Sequence, residues 1–303
     1  MRVFVTGATG FVGSAVIQEL LSAGHQVVGL ARTDAAARAL TAAGAQAHRG
    51  DLYDPASLRA GAAASDGVVH TAFNHDFLDR DFARFKENCE TERHAIEALG
   101  SALAGSDRPL IVTSGIGVLP SGRTVTEEDG SPTGPNASPR VATEEAASSQ
   151  AARGVRVSVL RLPPSVHGDG DHGFVPILIG IARQKGASVY IGDGGNVWPA
   201  VHRLDAARLY RLALEQGAAE ARYHAVAEEG VPFRYIAEVI GRRLNLPVVS
   251  KTREEAAEHF GRFAHFAAID NKASSERTRK ATGWQPMQTG LIADVDRARY
   301  FEA

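Results

Sequence analysis

A single cysteine, Cys89, is all that 303 residues carry, so no intrachain disulfide and no multi-cysteine zinc centre can form. A reducing compartment, the cytosol, is the expected setting. Neither sign of charge is in excess: 33 Lys and Arg stand against 35 Asp and Glu, a formal net charge of -2. Without a basic field, nucleic acid and anionic membrane surfaces are excluded as expected partners. Long apolar runs are missing too. The longest, Phe174 to Ala182, is broken by Pro176 and Gly180 and falls short of the ~20 residues a membrane helix needs. The apolar stretch at Met1 to Val5 is too short for a signal-peptide core and is read as retained. Internal repeats and low-complexity linkers are absent as well.

What the chain does have is an ordinary globular composition, 44% hydrophobic and 22% charged, long enough to bury a large core. Short β-branched runs alternate with Ala/Leu/Glu-rich stretches, the pattern of parallel strands joined by crossover helices. Strands are predicted at Arg2–Thr6, Gln26–Leu30, Ala45–His48, Gly67–Thr71, Leu110–Ser114 and Arg156–Arg161. Helices fall between them at Phe11–Ala23, Asp34–Ala43, Pro55–Gly61, Phe77–Ala104 and Pro139–Arg153. Beyond Arg161 the pattern loosens into a Pro/Gly/Asp/His-rich loop to Gly173, a helix Phe174–Gln184, a short strand Ser188–Ile191 and a loop through Gly195. A helix Arg203–Glu215 and a strand Arg222–Ala225 are predicted to rejoin the sheet. Small helices follow around Pro232–Arg242, Arg253–Arg262 and Ser274–Thr282. The Ser131–Ser138 cluster forms no packed element of its own and is the loop expected to move.

Between the first strand and first helix stands Thr6-Gly7-Ala8-Thr9-Gly10-Phe11-Val12-Gly13. Strand, glycine-rich turn and helix in that order mark a dinucleotide-binding turn. Gly7 allows the tight turn, Gly10 lets backbone amides approach a pyrophosphate, and Gly13 permits close helix–strand packing, with the helix amino end supplying partial positive charge. Thr9, Phe11 and Val12 complete the cradle. The predicted architecture is therefore α/β: a Rossmann-type doubly wound parallel sheet with a smaller C-terminal lobe. Residues 1–165 with about 201–227 form the dinucleotide-binding domain, and 166–200 with 228–303 the substrate lobe.

After the second strand, Ala31 occupies the place where an acidic side chain would hold an adenosine 2′-hydroxyl. Arg32 follows and offers a guanidinium to a 2′-phosphate, which favours NADP over NAD. Asp34 is read as the N-cap of the next helix.

The GxxGxxG spacing, Asp51-Leu52 after the third strand and His70-Thr71-Ala72-Phe73 at the end of the fourth resemble the extended and atypical short-chain dehydrogenase/reductases. The NAD-dependent epimerase/dehydratase-like branch is nearest. Val201-His202-Arg203-Leu204-Asp205 and Gly283-Trp284-Gln285-Pro286 extend the resemblance across almost the whole chain. It implies that Asp51 and Leu52 contact adenine, that Thr71, Ala72 and Phe73 meet the central ribose–phosphate region, and that Pro163, Pro164 and Ser165 meet the nicotinamide. Asn88 matches an asparagine of the extended members.

The resemblance also implies a tyrosine acidified by a lysine four residues on, and a serine steadying the substrate oxygen. Here Gly115 stands at the serine position, with Ser114 beside it, Arg140 replaces the tyrosine and Glu144 the lysine. Arginine stays protonated and cannot exchange a proton at neutral pH. Arg140 and Glu144, four apart, are expected to share a helix face as an ion pair, with Glu144 also able to accept from ribose hydroxyls. If catalysis persists, the proton donor must be another group. His167, beyond the sixth strand, leads the candidates; His75, Asp76 and Ser114 follow. A metal site built from His167, Asp169, Asp171 and His172 has no supporting spacing, so none is predicted.

These features imply an NADP(H)-dependent oxidoreductase acting on a small carbonyl-type substrate. Two other readings stay open: a non-catalytic NADP(H)-binding sensor, and an NAD-dependent sugar-nucleotide epimerase or dehydratase. A homodimer is also possible, because Phe82, Phe85, Cys89, Ile96 and Leu99 recur at near-helical spacing. A core-facing stripe accounts for them equally well.

Overall fold

The computed structural model describes residues 1–76, 84–132, 134 and 137–302. Its first half runs β1 (Arg2–Thr6), α1 (Phe11–Ser22), β2 (Gln26–Ala31), α2 (Asp34–Ala42), β3 (Gln46–Arg49), α3 (Pro55–Ala63), β4 (Gly67–His70), α4 (Arg84–Leu103), β5 (Pro109–Gly115), α5 (Val141–Ala151) and β6 (Arg156–Leu162). There follow β7 (Ser165–His167), α6 (Phe174–Lys185), β8 (Ser188–Ile191), β9 (Val197–His202), α7 (Arg203–Gln216), β10 (Arg222–His224) and β11 (Glu228–Pro232). The chain continues through α8 (Phe233–Leu244), β12 (Val248–Lys251), α9 (Arg253–Phe260), α10 (Ala264–Ala267), α11 (Glu276–Thr282) and α12 (Leu291–Val295). The predicted start of α4 at 77–83, and positions 133, 135 and 136 of the Ser131–Ser138 cluster, lie outside the described residues.

Seven strands form one parallel sheet in the order β10-β6-β5-β4-β1-β2-β3. Helices cover both faces, so strand residues are buried whichever way they point, which is why Val3-Phe4-Val5 reads as an unbroken apolar run. Val3 and Val5 join the core beneath α1 and α7, and Phe4 joins the core beneath α3, α4 and α5. Chain order reverses between β1 and β4, and α1 starts at that switch point, where open α/β sheets hold ligands. Among the described residues, no helix is long and apolar enough to cross a membrane.

The C-terminal lobe differs from its sequence reading. The loop expected up to Gly173 contains β7, and β9 forms at Val197–His202, where no element is predicted; with β11 they make a three-stranded sheet, while β8 pairs with β12. These strands of three to six residues lack a pattern of their own and depend on partners distant in sequence. Their core is aromatic: Trp198 lies among Phe174, Phe233 and Phe263. Not all of 228–303 stays in the lobe. Trp284 is fully buried beside α7, its Nε1 donating to the Asp205 carbonyl at 2.9 Å, and this pins the end of α11 to the main sheet. On α4, Cys89, Ile96 and Leu99 are buried within the chain itself and Phe85 is half-buried, so the first three face the core. Phe82 lies outside the described residues.

Candidate active site

The glycine turn is close-packed. Gly7 has φ +66°, and a Cβ there would sit 2.7 Å from both the Ala72 amide nitrogen and Thr71 Oγ1. A Cβ on Gly13 would lie 2.1 Å from the Gly7 carbonyl oxygen, so the first turn of α1 touches the turn backbone directly. Thr71 Oγ1 donates to the Thr6 carbonyl at 2.8 Å and joins the ends of β1 and β4. Gly10, the N-cap of α1, brings no capping side chain, leaving the amide groups of Phe11, Val12 and Gly13 at an uncapped helix start suited to an anion. Thr9 and Gly10 are exposed. Arg203 lies 5.0 Å over the Phe11 ring and donates to the Asp169 carbonyl at 2.8 Å; His172 meets the same ring edge-on at 5.7 Å. The loop after β7 therefore reaches the glycine turn, a contact for which the sequence held no signal.

At the end of β2, Arg32 is exposed and makes no ion pair among the described residues. The N-cap of α2 is Thr33, whose extended backbone lets Oγ1 accept from the Ala36 amide at 3.1 Å. Asp34 is not the cap: it lies in the first turn and pairs with Arg49 at 2.6 Å. Asp51 Oδ1 accepts from the Tyr53 amide at 3.0 Å, turning the chain toward α3, which Asp54 caps. Leu52 is half-buried against the adjacent core.

Arg140 immediately precedes α5. Its guanidinium stacks 3.6 Å from the Phe73 ring centroid, and Nη2 donates to Glu92 Oε1 at 3.1 Å. Glu92 is buried on α4 and also accepts a short hydrogen bond from Thr143 Oγ1. Arg140 Nη1 is buried without a hydrogen-bond partner. Asn88, one turn before Glu92, donates Nδ2 to the Asn74 carbonyl at 3.0 Å and to Asp76 Oδ1 at 2.8 Å. It thereby props the segment that carries Phe73 and His75. Asp76 also pairs with Arg84 at 3.1 Å.

Two histidines lie in the field of Arg140. His70 is wholly buried, its Nδ1 2.7 Å from Thr6 Oγ1; burial, with Arg140's charge, pushes its pKa down to about 3. His75 is open to solvent at the rim but crowded by surrounding protein, which with Arg140 lowers it to about 4. Both rings are neutral at pH 7. Tyr210 offers no replacement for the missing tyrosine: its hydroxyl is buried on Thr113 Oγ1 at 2.7 Å, and burial raises its pKa.

The expected Arg140–Glu144 pair does not form, because Arg140 precedes the helix and turns toward α4. Glu144 faces β6 and binds Arg161 through two bonds of 2.7 Å, while Ser131 Oγ donates to it at 3.1 Å. Burial works to raise the Glu144 carboxyl's pKa, but Arg161 outweighs it and leaves the group below its ordinary range. With its oxygens so committed, Glu144 is not available to ribose hydroxyls. Ser114 lies beside it, buried, its Oγ without a hydrogen bond of ordinary geometry.

His167 sits in β7, 1% exposed, with Nδ1 2.9 Å from the fully buried Asp294 Oδ2. Burial lowers its pKa despite Asp294. Ser165, at the start of β7, is buried with Oγ unpartnered; Pro163 is buried and Pro164 half-buried. Asp169 pairs with Arg299, and Asp171 accepts from the Tyr300 hydroxyl at 3.2 Å. Burial raises Asp171 to about 6.

Comparison with known proteins places these features in context. The model of the NAD dependent epimerase/dehydratase family matches residues 3–227. An uncharacterized protein of Schizosaccharomyces pombe is 50% identical over 302 residues, covering 99% of this chain and 100% of its own. A sterol-4-alpha-carboxylate 3-dehydrogenase (decarboxylating) of Dictyostelium discoideum is 26% identical over 77% of this chain and 73% of its own. Among solved structures, a dTDP-glucose 4,6-dehydratase of Streptomyces venezuelae with NAD bound superposes with a TM-score of 0.76. It is 22% identical and covers 99% of this chain and 97% of its own, a likeness of fold.

Proposed function

This chain belongs to the NAD dependent epimerase/dehydratase family, and from that premise we propose an NADP(H)-dependent oxidoreductase that reduces a small carbonyl substrate without a Tyr–Lys pair. The cofactor fits the residues present. The close-packed turn at Gly7 and Gly13 and the uncapped start of α1 receive the pyrophosphate. Asp51 and Leu52 border the adenine, Arg32 takes the 2′-phosphate, Thr71 to Phe73 lie along the central ribose–phosphate, and Pro163 to Ser165 flank the nicotinamide. When bound, that cofactor supplies hydride.

The observation that carries the reading is a set of buried polar atoms without partners at or just beyond the carboxyl ends of the strands: His70 Nε2, Ser114 Oγ, Arg140 Nη1 and Ser165 Oγ. Folded proteins rarely leave such atoms unsatisfied, so the set fits a site that a ligand completes. Arg140 stays protonated at neutral pH and cannot supply the proton. His75, at the water-facing rim, is favoured to pass a proton from solvent over His167, which is buried on Asp294.

Following NADPH oxidation against a panel of aldehydes, ketones, oxo acids and enones tests this, with turnover of one class well above background as the expected result. Tight NADPH binding with no turnover instead supports the sensor reading, which the loss of tyrosine and lysine favours. NAD that stays bound through purification supports the epimerase or dehydratase reading.

A further inference from the structure

We infer that Arg140 is a substrate-binding residue and that the substrate carries a carboxylate, making it an oxo acid and not a neutral aldehyde or ketone. This rests on the carbonyl-reductase reading and narrows it.

The guanidinium is fixed before any ligand arrives. Phe73 covers one face at 3.6 Å, and Glu92, held by Thr143, takes Nη2 at 3.1 Å. Such a group has little rotamer freedom left to lose on binding. What remains is the Nη1 edge, buried and without an acceptor. Arginine has donors only, and an ionised carboxylate has acceptors only, in a planar shape that matches the guanidinium fork. A neutral carbonyl presents a single weaker acceptor to the same edge.

Arg140 is the positive group at this place. His70 and His75 carry no charge at neutral pH, so neither supplies a competing positive centre, and Glu92 is already engaged. His75 is exposed beside Phe73, at 5.0 Å between ring centroids. An arginine here recognises charge and transfers no proton.

The test compares an oxo acid, its methyl ester and the matching methyl ketone as substrates for NADPH oxidation. The wild type, Arg140→Lys and the double variant Arg140→Gln/Glu92→Gln are assayed, each with its melting temperature recorded. The double variant removes both charges together, so no buried carboxylate is left alone. In the wild type, kcat/KM for the acid should exceed that for the ester by roughly 100-fold, the range expected for a desolvated charge pair. Both variants should raise KM for the acid tenfold or more, bring the acid-to-ester ratio of kcat/KM toward one and keep wild-type NADPH affinity.

Equal use of acid and ester by the wild type overturns the inference, as does a parallel loss of both substrates in the variants. Loss of NADPH affinity in step with activity also overturns it, by assigning the arginine to the cofactor. If no carbonyl compound is turned over, the reductase reading fails separately. Malonate and oxamate titrated calorimetrically into NADPH-loaded protein then decide the arginine's role: binding that the variants lose upholds the carboxylate site, and no binding to the wild type removes it.

Discussion

Glu144 and Arg161 face one another inside the fold through two parallel hydrogen bonds of 2.7 Å, with Arg161 wholly buried. Arg161 also donates to the Asp129 carbonyl at 2.9 Å and lies 3.2 Å from His224 Nε2, so the pair ties α5 to β6 and to the segment before α5. The position where the family resemblance calls for a lysine is therefore structural here. Glu144→Lys brings two cations together without solvent, and breaking a buried pair costs about 3–5 kcal/mol. A large fall in melting temperature is expected, with Glu144→Gln milder. The double change Arg140→Tyr/Glu144→Lys should consequently fail to restore family chemistry, because the fold gives way first. A well-folded, active double variant would overturn this.

Arg32 is predicted to set cofactor choice. It is exposed and makes no ion pair among the described residues, so it is available to a 2′-phosphate. A charge-assisted hydrogen bond contributes roughly 1.5–3 kcal/mol, a tenfold or greater preference for NADPH over NADH. Fluorescence titration of both cofactors should show the preference collapse in Arg32→Ala while NADH affinity holds. Equal affinities in the wild type would remove the assignment.

The sheet and its glycine turn were legible because their signals are local. Strands buried on both faces, such as Val27 to Ala31, read as apolar runs, and Gly7 and Gly13 stand where the backbone has no room for a Cβ. The side chains that determine the chemistry were not legible in the same way. Glu92 looks like one more charge on a polar helix, yet it is buried against Arg140, 48 positions away. Arg161 ends an ordinary apolar strand and gives no hint that Glu144 will prefer it to Arg140. The strands around Ser165, Val197 and Glu228 acquire their structure only from one another. Pair partners across a fold are set by topology, which local pattern does not encode.

Acid should destabilise the protein more than its carboxylates alone require. Native His70 titrates at about 3, against 6.5 for the free side chain, so between those values the unfolded chain binds a proton that the native state refuses. Stability therefore falls as pH drops below 6.5, by about 1.4 kcal/mol per pH unit from this residue. Asp171 acts oppositely. Raised to about 6, it binds its proton first in the native state and offsets part of the loss between pH 6 and 4. Urea unfolding at pH 7, 6, 5 and 4 measures the sum. His70→Gln should flatten the slope by about 1.4 kcal/mol per unit; an unchanged slope would show that native His70 is protonated normally.

The last prediction separates a structural histidine from a catalytic one. His167 is buried in β7 with Nδ1 on Asp294, which also accepts from Arg299 at 2.5 Å, so its bond helps hold α12 to the lobe sheet. His167→Asn shortens the side chain and leaves a buried carboxylate with one donor fewer, a loss of roughly 1.5–3 kcal/mol for a hydrogen bond to a charged group. Per folded molecule, NADPH affinity and kcat/KM should stay within about threefold of the wild type, because a lost general acid would instead remove roughly 10²–10⁴-fold. Asp294→Asn supplies the control: it should lower the melting temperature in the same way, again with turnover preserved. Turnover that collapses in His167→Asn at an unchanged melting temperature would make His167 the proton donor, and would require β7 to open toward the substrate during the reaction.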